Sequence, residues 1–232
     1  MKKLMMAMTV AVAAATVFGA TKKRVQAMSG NDDGPETTGR AAKILVDQIQ
    51  LGQNALATAP CIGGLQQFYK KPRQWIVLNT KYTTFGSDTS KFLEQLTFNW
   101  HVVLDTSKAT ENKGNKDNLP PWSYFTTTVT YFNIPAGQHG ASVCLPPSYR
   151  ERFGEAKAVG LEISNENGDV LGWGSFSEAK PIKSGTKFWE DEKFQQAMTG
   201  DKPAIARRQG LVDRSKTIFA LVNPNDYEAT IQ

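Results

Sequence analysis

The sequence predicts a mainly β protein, an antiparallel immunoglobulin-like β-sandwich with a few short helices. Short alternating segments recur along the chain, Gly and Pro turn signals separate them, and few stretches carry helical periodicity. The clearest segment places five large apolar residues on one face: Leu96, Phe98, Trp100, Val102 and Leu104. Large apolar residues at period two need a facing sheet to bury them, so we expect two sheets packed together.

Residues 1–27 have the pattern of a secretory signal peptide. Met-Lys-Lys precedes an uncharged run from Leu4 to Ala20, and small residues follow at two candidate cleavage positions. An uncleaved anchor is the alternative, because a run of about 17 apolar residues is borderline for crossing a bilayer. We therefore expect an exported protein, in the periplasm, on the outer surface or outside the cell.

Cleavage of that segment changes what the charge implies. The chain has 27 basic and 22 acidic residues, a formal net charge of +5. Residues 1–27 hold five of the basic residues and no acidic ones, so 22 of each would remain. The basic balance therefore belongs to the leader, and we expect no nucleic-acid partner.

The remaining chain predicts a flexible leader over 28–39, which is polar and contains Gly and Pro, and one domain over 40–232. The segment from Pro181 onward is expected to be an extension of the sandwich. An even cysteine count in an exported chain favours a disulfide between Cys61 and Cys144, with two separate buried thiols as the alternative.

Other alternating or β-rich segments predict further strands, with loops between them. These strands are expected over 43–50 (with a slip in its alternation), 74–84, 123–132, 141–145 and 217–223. Turns or loops are expected over 54–64, 133–140 and 201–214. Short helices are predicted over 148–153, closed by Gly154, and over 190–198.

Residues 158–177 predict a β-hairpin. A three-residue loop, 166–168, would place Gly168 in the left-handed region and pair Asn165 with Asp169. This register sets Ile163 opposite Leu171, and Leu161 opposite Trp173. We prefer it because the alternative, a two-residue Asn-Gly turn, would oppose these residues with Gly172 and Gly174 and bury less surface.

The run Cys-Leu-Pro-Pro-Ser-Tyr-Arg-Glu-Arg-Phe-Gly at 144–154, followed by the Asn-Gly hairpin, carries a resemblance. It is similar to secreted immunoglobulin-like proteins that accompany type IV pilus-like gene clusters in mucin-degrading gut bacteria. The resemblance spans 74–177 and contains no active-site motif. It implies an immunoglobulin-like fold and a pilus-associated, extracellular or outer-surface structural protein that can self-associate.

Motifs for catalysis, metals or cofactors are not found, and we expect neither an enzyme nor a metal or cofactor site. His101 and His139 belong to no metal-binding or catalytic motif. His139 lies near Cys144, but an exported cysteine with a potential partner is more often in a disulfide. The acidic run 190–192 suits the start of a helix better than a cation.

The candidate contact residues are Trp122 and Tyr124, which follow two prolines at a loop–strand junction. A tryptophan held there could face a sugar ring or an apolar side chain of a partner, or it could cap the core. We expect a non-enzymatic structural or assembly protein with protein partners or self-association. The alternative is a carbohydrate-binding module for host or cell-wall glycans that acts in adhesion, and a hydrolase is a third reading.

Edge strands give a further expectation about assembly. The segment 217–222 combines high β-propensity with no charge, and 141–145 is a short candidate edge. We expect 217–222 to pair inside the domain and the protein to self-associate through the adjoining surface.

Overall fold

The computed structural model describes residues 44–50, 55–58, 73–85, 91–109 and 119–220. Within them lie ten strands and two short helices. In chain order these are β1 (Ile44–Ile49), β2 (Leu56–Thr58), β3 (Gln74–Thr84), β4 (Phe92–Asp105), β5 (Trp122–Pro135), β6 (Gly137–Leu145), α1 (Pro147–Phe153), β7 (Glu155–Ser164), β8 (Val170–Ser177), α2 (Glu192–Gln196), β9 (Ile205–Arg208) and β10 (Val212–Asp213).

The strands form two sheets, which confirms the mainly β sandwich. Sheet I has the order β1-β3-β6-β10, with β2 also paired to β3, and all its pairs are antiparallel. Sheet II has the order β8-β7-β4-β5-β9. The β5–β9 pair is parallel, so sheet II is mixed and the expected all-antiparallel arrangement is corrected there.

The core lies between the sheets, where the alternation of β4 predicted it. Leu96, Phe98, Trp100, Val102 and Leu104 are each no more than 1% exposed. They pack with inward residues of β3 and β6, such as Leu78 and Val143. The predicted slip in the first strand is also present, because the register of β1 on β3 shifts between Val46 and Gln48.

The hairpin β7–β8 keeps the predicted turn but loses the predicted register. Asn165 N donates to Asp169 O at 3.0 Å, and Gly168 has φ of 87°. A bulge between Ile163 and Ser164 then sets Ile163 opposite Gly172 and Leu161 opposite Gly174. The expected pairs with Leu171 and Trp173 are therefore wrong.

The close approach of β1 explains the change of register. A Cβ on Gly172 would lie 2.9 Å from the Ile44 carbonyl oxygen, and one on Gly174 would lie 3.1 Å from Val46 Cγ1. Glycines therefore face β1 where large side chains would separate the sheets. Trp173, which lies between them, points to the opposite face of sheet II and joins a second apolar cluster.

Three loop or edge predictions are wrong. The expected loop over 54–64 contains β2, and the expected loop over 201–214 contains β9 and β10. The expected turn over 133–140 is confirmed in a shorter form, because only Ala136 separates β5 of sheet II from β6 of sheet I. The expected edge 141–145 lies inside sheet I, because β6 pairs with both β3 and β10.

The expected last strand is also wrong over its described part. Thr217–Ala220 forms turns, in which Thr217 N donates to Arg214 O and Ala220 N donates to Thr217 O. Phe219 packs edge-on against Trp75 of β3, with ring centroids 5.6 Å apart. This aromatic contact and the local hydrogen bonds replace strand pairing; residues 221–223 lie outside the described part.

The first predicted helix is confirmed as α1, and Gly154 closes it by donating its N–H to Arg150 O at 2.8 Å. The second is α2, whose first N–H groups are capped by Asp191 Oδ1. The helices of the described residues are all too short or too polar to cross a membrane.

Candidate functional site

The outer face of sheet II carries a third layer made by residues 178–204, which we call the covering segment. Its apolar side chains pack on outward-facing residues of β4, β5, β7 and β9 and form a second cluster apart from the sandwich core. The buried members are Val103, Tyr124, Ala158, Ala179, Ile182, Phe188, Trp189, Phe194 and Ile205.

A pocket of about 780 Å³ opens between the covering segment and the start of β5 and β9. We call it the aromatic pocket. Trp122 lines it and is half-buried, and Phe188 and Phe194 contribute their few exposed atoms. The other lining residues are Pro181, Ile182, Lys183, Thr186, Lys187, Glu190, Asp191, Lys193, Ala197, Ala204 and Ile205.

Charged side chains surround this apolar floor. Lys187 Nζ lies 2.7 Å from Glu162 Oε2 and 3.1 Å from Glu190 Oε1. Burial alone would lower the pKa of Lys187, but its bonds to these two carboxylates raise the pKa above its usual value. Lys183 and Lys193 make no ion pair with any residue that the structure describes. The rim therefore combines a fixed ion-pair network with two unpaired cations.

An aromatic stack lies beneath the covering segment. The ring of His101 lies parallel to Trp189, with centroids 4.4 Å apart, and parallel to Tyr124 at 6.1 Å. His101 Nδ1 and the Tyr124 hydroxyl share a hydrogen bond of 2.7 Å. Burial, with a smaller contribution from the Lys187 charge, lowers the pKa of His101 to about 4. Burial raises the pKa of Tyr124 to about 12, so both groups are neutral near pH 7.

The structure separates the two predicted contact residues. Trp122 lines the pocket, whereas Tyr124 is 5% exposed and packs edge-on against Phe194. Tyr124 therefore supports the covering segment and does not reach a partner from this position. Both residues lie on the same face of β5, and their positions along the strand explain the difference, because Trp122 begins the strand and Tyr124 lies under Phe194 of α2.

His139 makes hydrogen bonds that join neighbouring strands. Its Nε2 lies 2.7 Å from Pro135 O and 3.1 Å from Thr84 Oγ1, so the ring links the end of β5 to β3. Burial lowers its pKa, against the opposing effect of the bond to Pro135. In the part of the chain that the structure describes, no group of three metal-ligating side chains comes together.

Of the two cysteines predicted to form a disulfide, one lies in the part of the chain that the structure describes. Cys144 is a free, fully buried cysteine on β6, and burial raises the pKa of its thiol to about 12. Cys61 lies outside the described residues. The pairing of Cys61 with Cys144 therefore stays a prediction, although Thr58, three residues before Cys61, ends β2 beside β3, the neighbour of β6.

Comparison with known proteins places the chain in a family. A family model matches residues 38–232, most of the chain. The chain belongs to that family. No curated protein matches the chain.

A crystal structure of a protein from Akkermansia muciniphila is similar to this chain, with a TM-score of 0.58 and 17% sequence identity. The match covers 89% of this chain and 98% of that one. At this identity the likeness shows the fold alone. The source is a mucin-degrading gut bacterium, so the expected likeness to proteins of such bacteria is confirmed for the fold, while secretion and pilus association stay predictions.

Sequence reasoning missed the residues that build the pocket wall. Lys187 and Phe188 lie in a segment without clear periodicity, and no local pattern shows that this segment folds back on sheet II. One signal was present: His101 and Val103 alternate with the buried face of β4, and an apolar residue on that outer face indicates a second covering layer.

Proposed function

We propose that this chain is an exported, non-enzymatic structural or assembly protein of the cell surface, and that a protein partner contacts it at the aromatic pocket. One observation carries the proposal: Trp122 is half-buried at a pocket with an apolar floor and a charged rim. Aromatic anchors in such surroundings supply much of the binding energy of protein interfaces.

The environments of the two histidines support a non-enzymatic role. His101 stacks on Trp189 and shares a hydrogen bond with Tyr124, and His139 bridges Pro135 and Thr84. Both rings thus hold neighbouring elements together. The signal-peptide pattern over 1–27 supports export.

Binding of the labelled, purified chain to cell envelopes of its own source bacterium tests this proposal. Trp122→Ala should weaken the affinity by about thirtyfold, because a buried aromatic anchor typically contributes about 2 kcal/mol or more. Trp173→Ala is the matched control, since Trp173 belongs to the same cluster but does not line the pocket. Equal binding by both variants and the parent chain would count against the proposal.

A glycan-binding module is the second candidate, favoured by the same tryptophan, because its ring could stack on a sugar. Two treatments of the envelopes distinguish a protein partner from a glycan. Protease digestion should abolish binding to a protein partner, whereas periodate oxidation should abolish binding to a glycan. Binding that survives protease and fails after periodate replaces the first candidate by the second.

A further inference from the structure

A second, smaller pocket of about 220 Å³ lies on the outer face of sheet I, far from the covering segment in the strand order. We call it the polar pocket. Strands β1, β3 and β6 and the turn after β10 supply its walls. Its eight lining residues are Gln48, Gln50, Asn79, Thr80, Lys81, Gly140, Ser142 and Arg214.

Seven of the eight lining residues have polar or charged side chains, and the charges among them are positive. The pocket holds two cations, Lys81 and Arg214, and none of the eight described lining residues is acidic. Lys81 makes no ion pair within the described part of the chain.

The hydrogen bonds inside the pocket occupy side-chain amide oxygens and leave side-chain N–H groups available as donors. Ser142 Oγ donates to Asn79 Oδ1 at 2.6 Å, and Asn79 Nδ2 donates to Gln50 Oε1 at 3.3 Å. These two bonds use the amide oxygens of Asn79 and Gln50. The amide of Gln50 keeps both of its N–H donors, and the amide of Asn79 keeps one. The network thus leaves N–H donors beside the two cations.

From this chemistry we propose that the polar pocket binds a small oxyanion, namely a sulfate, phosphate or carboxylate group, either free or carried on a larger molecule. Charge-assisted hydrogen bonds from N–H donors are the interactions that such groups prefer. The volume lies below the roughly 300–1,000 Å³ of pockets for drug-sized ligands, so it suits one small group. The inference is independent of the aromatic pocket.

A general attraction for polyanions does not explain this site. Without residues 1–27 the chain has equal numbers of acidic and basic residues, so the positive charge is local to the pocket. The two positive side chains also come from elements far apart in sequence, β3 and the turn after β10, and the fold brings them together. The binding should therefore saturate at one site.

The test is a titration of the nitrogen-15-labelled full exported chain with sodium sulfate and with sodium phosphate, followed by amide NMR. Sodium chloride at equal ionic strength is the reference. We expect saturable shifts at the amides of Asn79, Lys81 and Ser142 with one or both oxyanions and none with chloride. Shifts that fail to saturate, or that are spread over the surface, overturn the proposal.

Variants locate the site. Lys81 is exposed, so Lys81→Gln should fold normally, and it should weaken oxyanion binding by about tenfold. Lys81→Arg keeps the charge and should keep binding within a few-fold. Lys180→Gln removes an equally exposed lysine on the covering segment and should change nothing. Equal binding by the parent chain and by Lys81→Gln overturns the assignment.

Ester probes distinguish the source of the anion. Glucose 6-sulfate and glucose 6-phosphate present the group on a larger molecule, and glucose is the neutral control. Tighter binding of an ester than of the free ion supports a group carried on a larger molecule, and the reverse order supports a free ion. Binding of glucose as tight as that of its esters contradicts the proposal.

Discussion

His101 is held neutral by its surroundings at the centre of sheet II. Its pKa is about 4, against an ordinary value of 6.5, because the ring is buried under Trp189 and lies near Lys187. The unfolded chain therefore binds a proton that the folded chain excludes between these two pH values. The stability that this neutral histidine contributes is complete above pH 6.5 and is lost as the pH falls towards 4.

We expect acid to destabilise the protein through this residue by up to about 3 kcal/mol. His101→Phe keeps a flat ring against Trp189 but removes the titration. The variant should be less stable than the parent at pH 7, where Tyr124 loses its hydrogen bond, and should lose less stability on going to pH 4.5. Urea unfolding of both proteins at the two pH values measures this; parallel losses would contradict it.

Cys144 gives a second prediction at the scale of one residue. Its side chain is fully buried and burial raises the pKa of its thiol to about 12. Because the thiolate is the reactive form, iodoacetamide at pH 8 should leave Cys144 unmodified in the folded protein. Peptide mapping after alkylation in urea then shows whether Cys144 is in a disulfide. Modification of Cys144 without reductant rejects the predicted disulfide with Cys61. Modification only after reduction supports it.

At the scale of elements, the hairpin β7–β8 shows where local sequence stops deciding structure. Its turn was predictable, because Asn165, Gly168 and Asp169 carry the turn chemistry within five residues. Its register was not predictable from the hairpin alone. The packing of β1, a strand of the other sheet, against β8 outweighs the pairing of large residues across the hairpin. Gly172 and Gly174 face a strand more than a hundred residues away in sequence.

Gly172→Ala should therefore destabilise the protein by about 1–3 kcal/mol, because its Cβ would lie 2.9 Å from the Ile44 carbonyl oxygen and backbone cannot easily move. Gly140→Ala is the matched control. It is also a strand glycine, and its Cβ would meet Thr80 O at an ordinary 3.7 Å. Thermal unfolding of the two variants measures the difference; equal melting temperatures would show that β1 can retreat at little cost.

Long-range packing also explains the other differences between sequence and structure. The strand pattern of β3, β4 and β5 is local, and sequence alone predicted those strands and the buried face of β4. The covering segment lacks such a pattern, and so does β9, which is held by pairing to β5. The same limit applies to the candidate site: the sequence predicted Trp122, but not Lys187 or Phe188, which the fold brings to the same pocket.

At the scale of the whole molecule, sheet II is the shared wall of two apolar clusters. Trp100 faces the inter-sheet core, whereas His101 and Val103 on the same strand face the covering segment. The central strand β4 is therefore packed on both sides. Since neither cluster can be exposed without disturbing β4, the sandwich and its third layer should unfold together.

Fluorine-19 labelling of the five tryptophans follows both layers in one urea titration. The signals of Trp100 and Trp189 should disappear at the same urea concentration, because the two rings pack on opposite sides of sheet II. Loss of the Trp189 signal at a clearly lower concentration would mean that the covering segment is a separate unit.

Gly160→Ala offers a way to break this coupling. A Cβ on Gly160 would overlap the Trp189 ring, which lies directly on that strand position and also touches the edge of Phe188. The variant should displace Trp189 while the inter-sheet core around Trp100 stays packed, so the Trp189 signal should now vanish before that of Trp100. Coincident loss of both signals in Gly160→Ala would contradict this, because it would mean that the covering segment accommodates the methyl group without leaving sheet II.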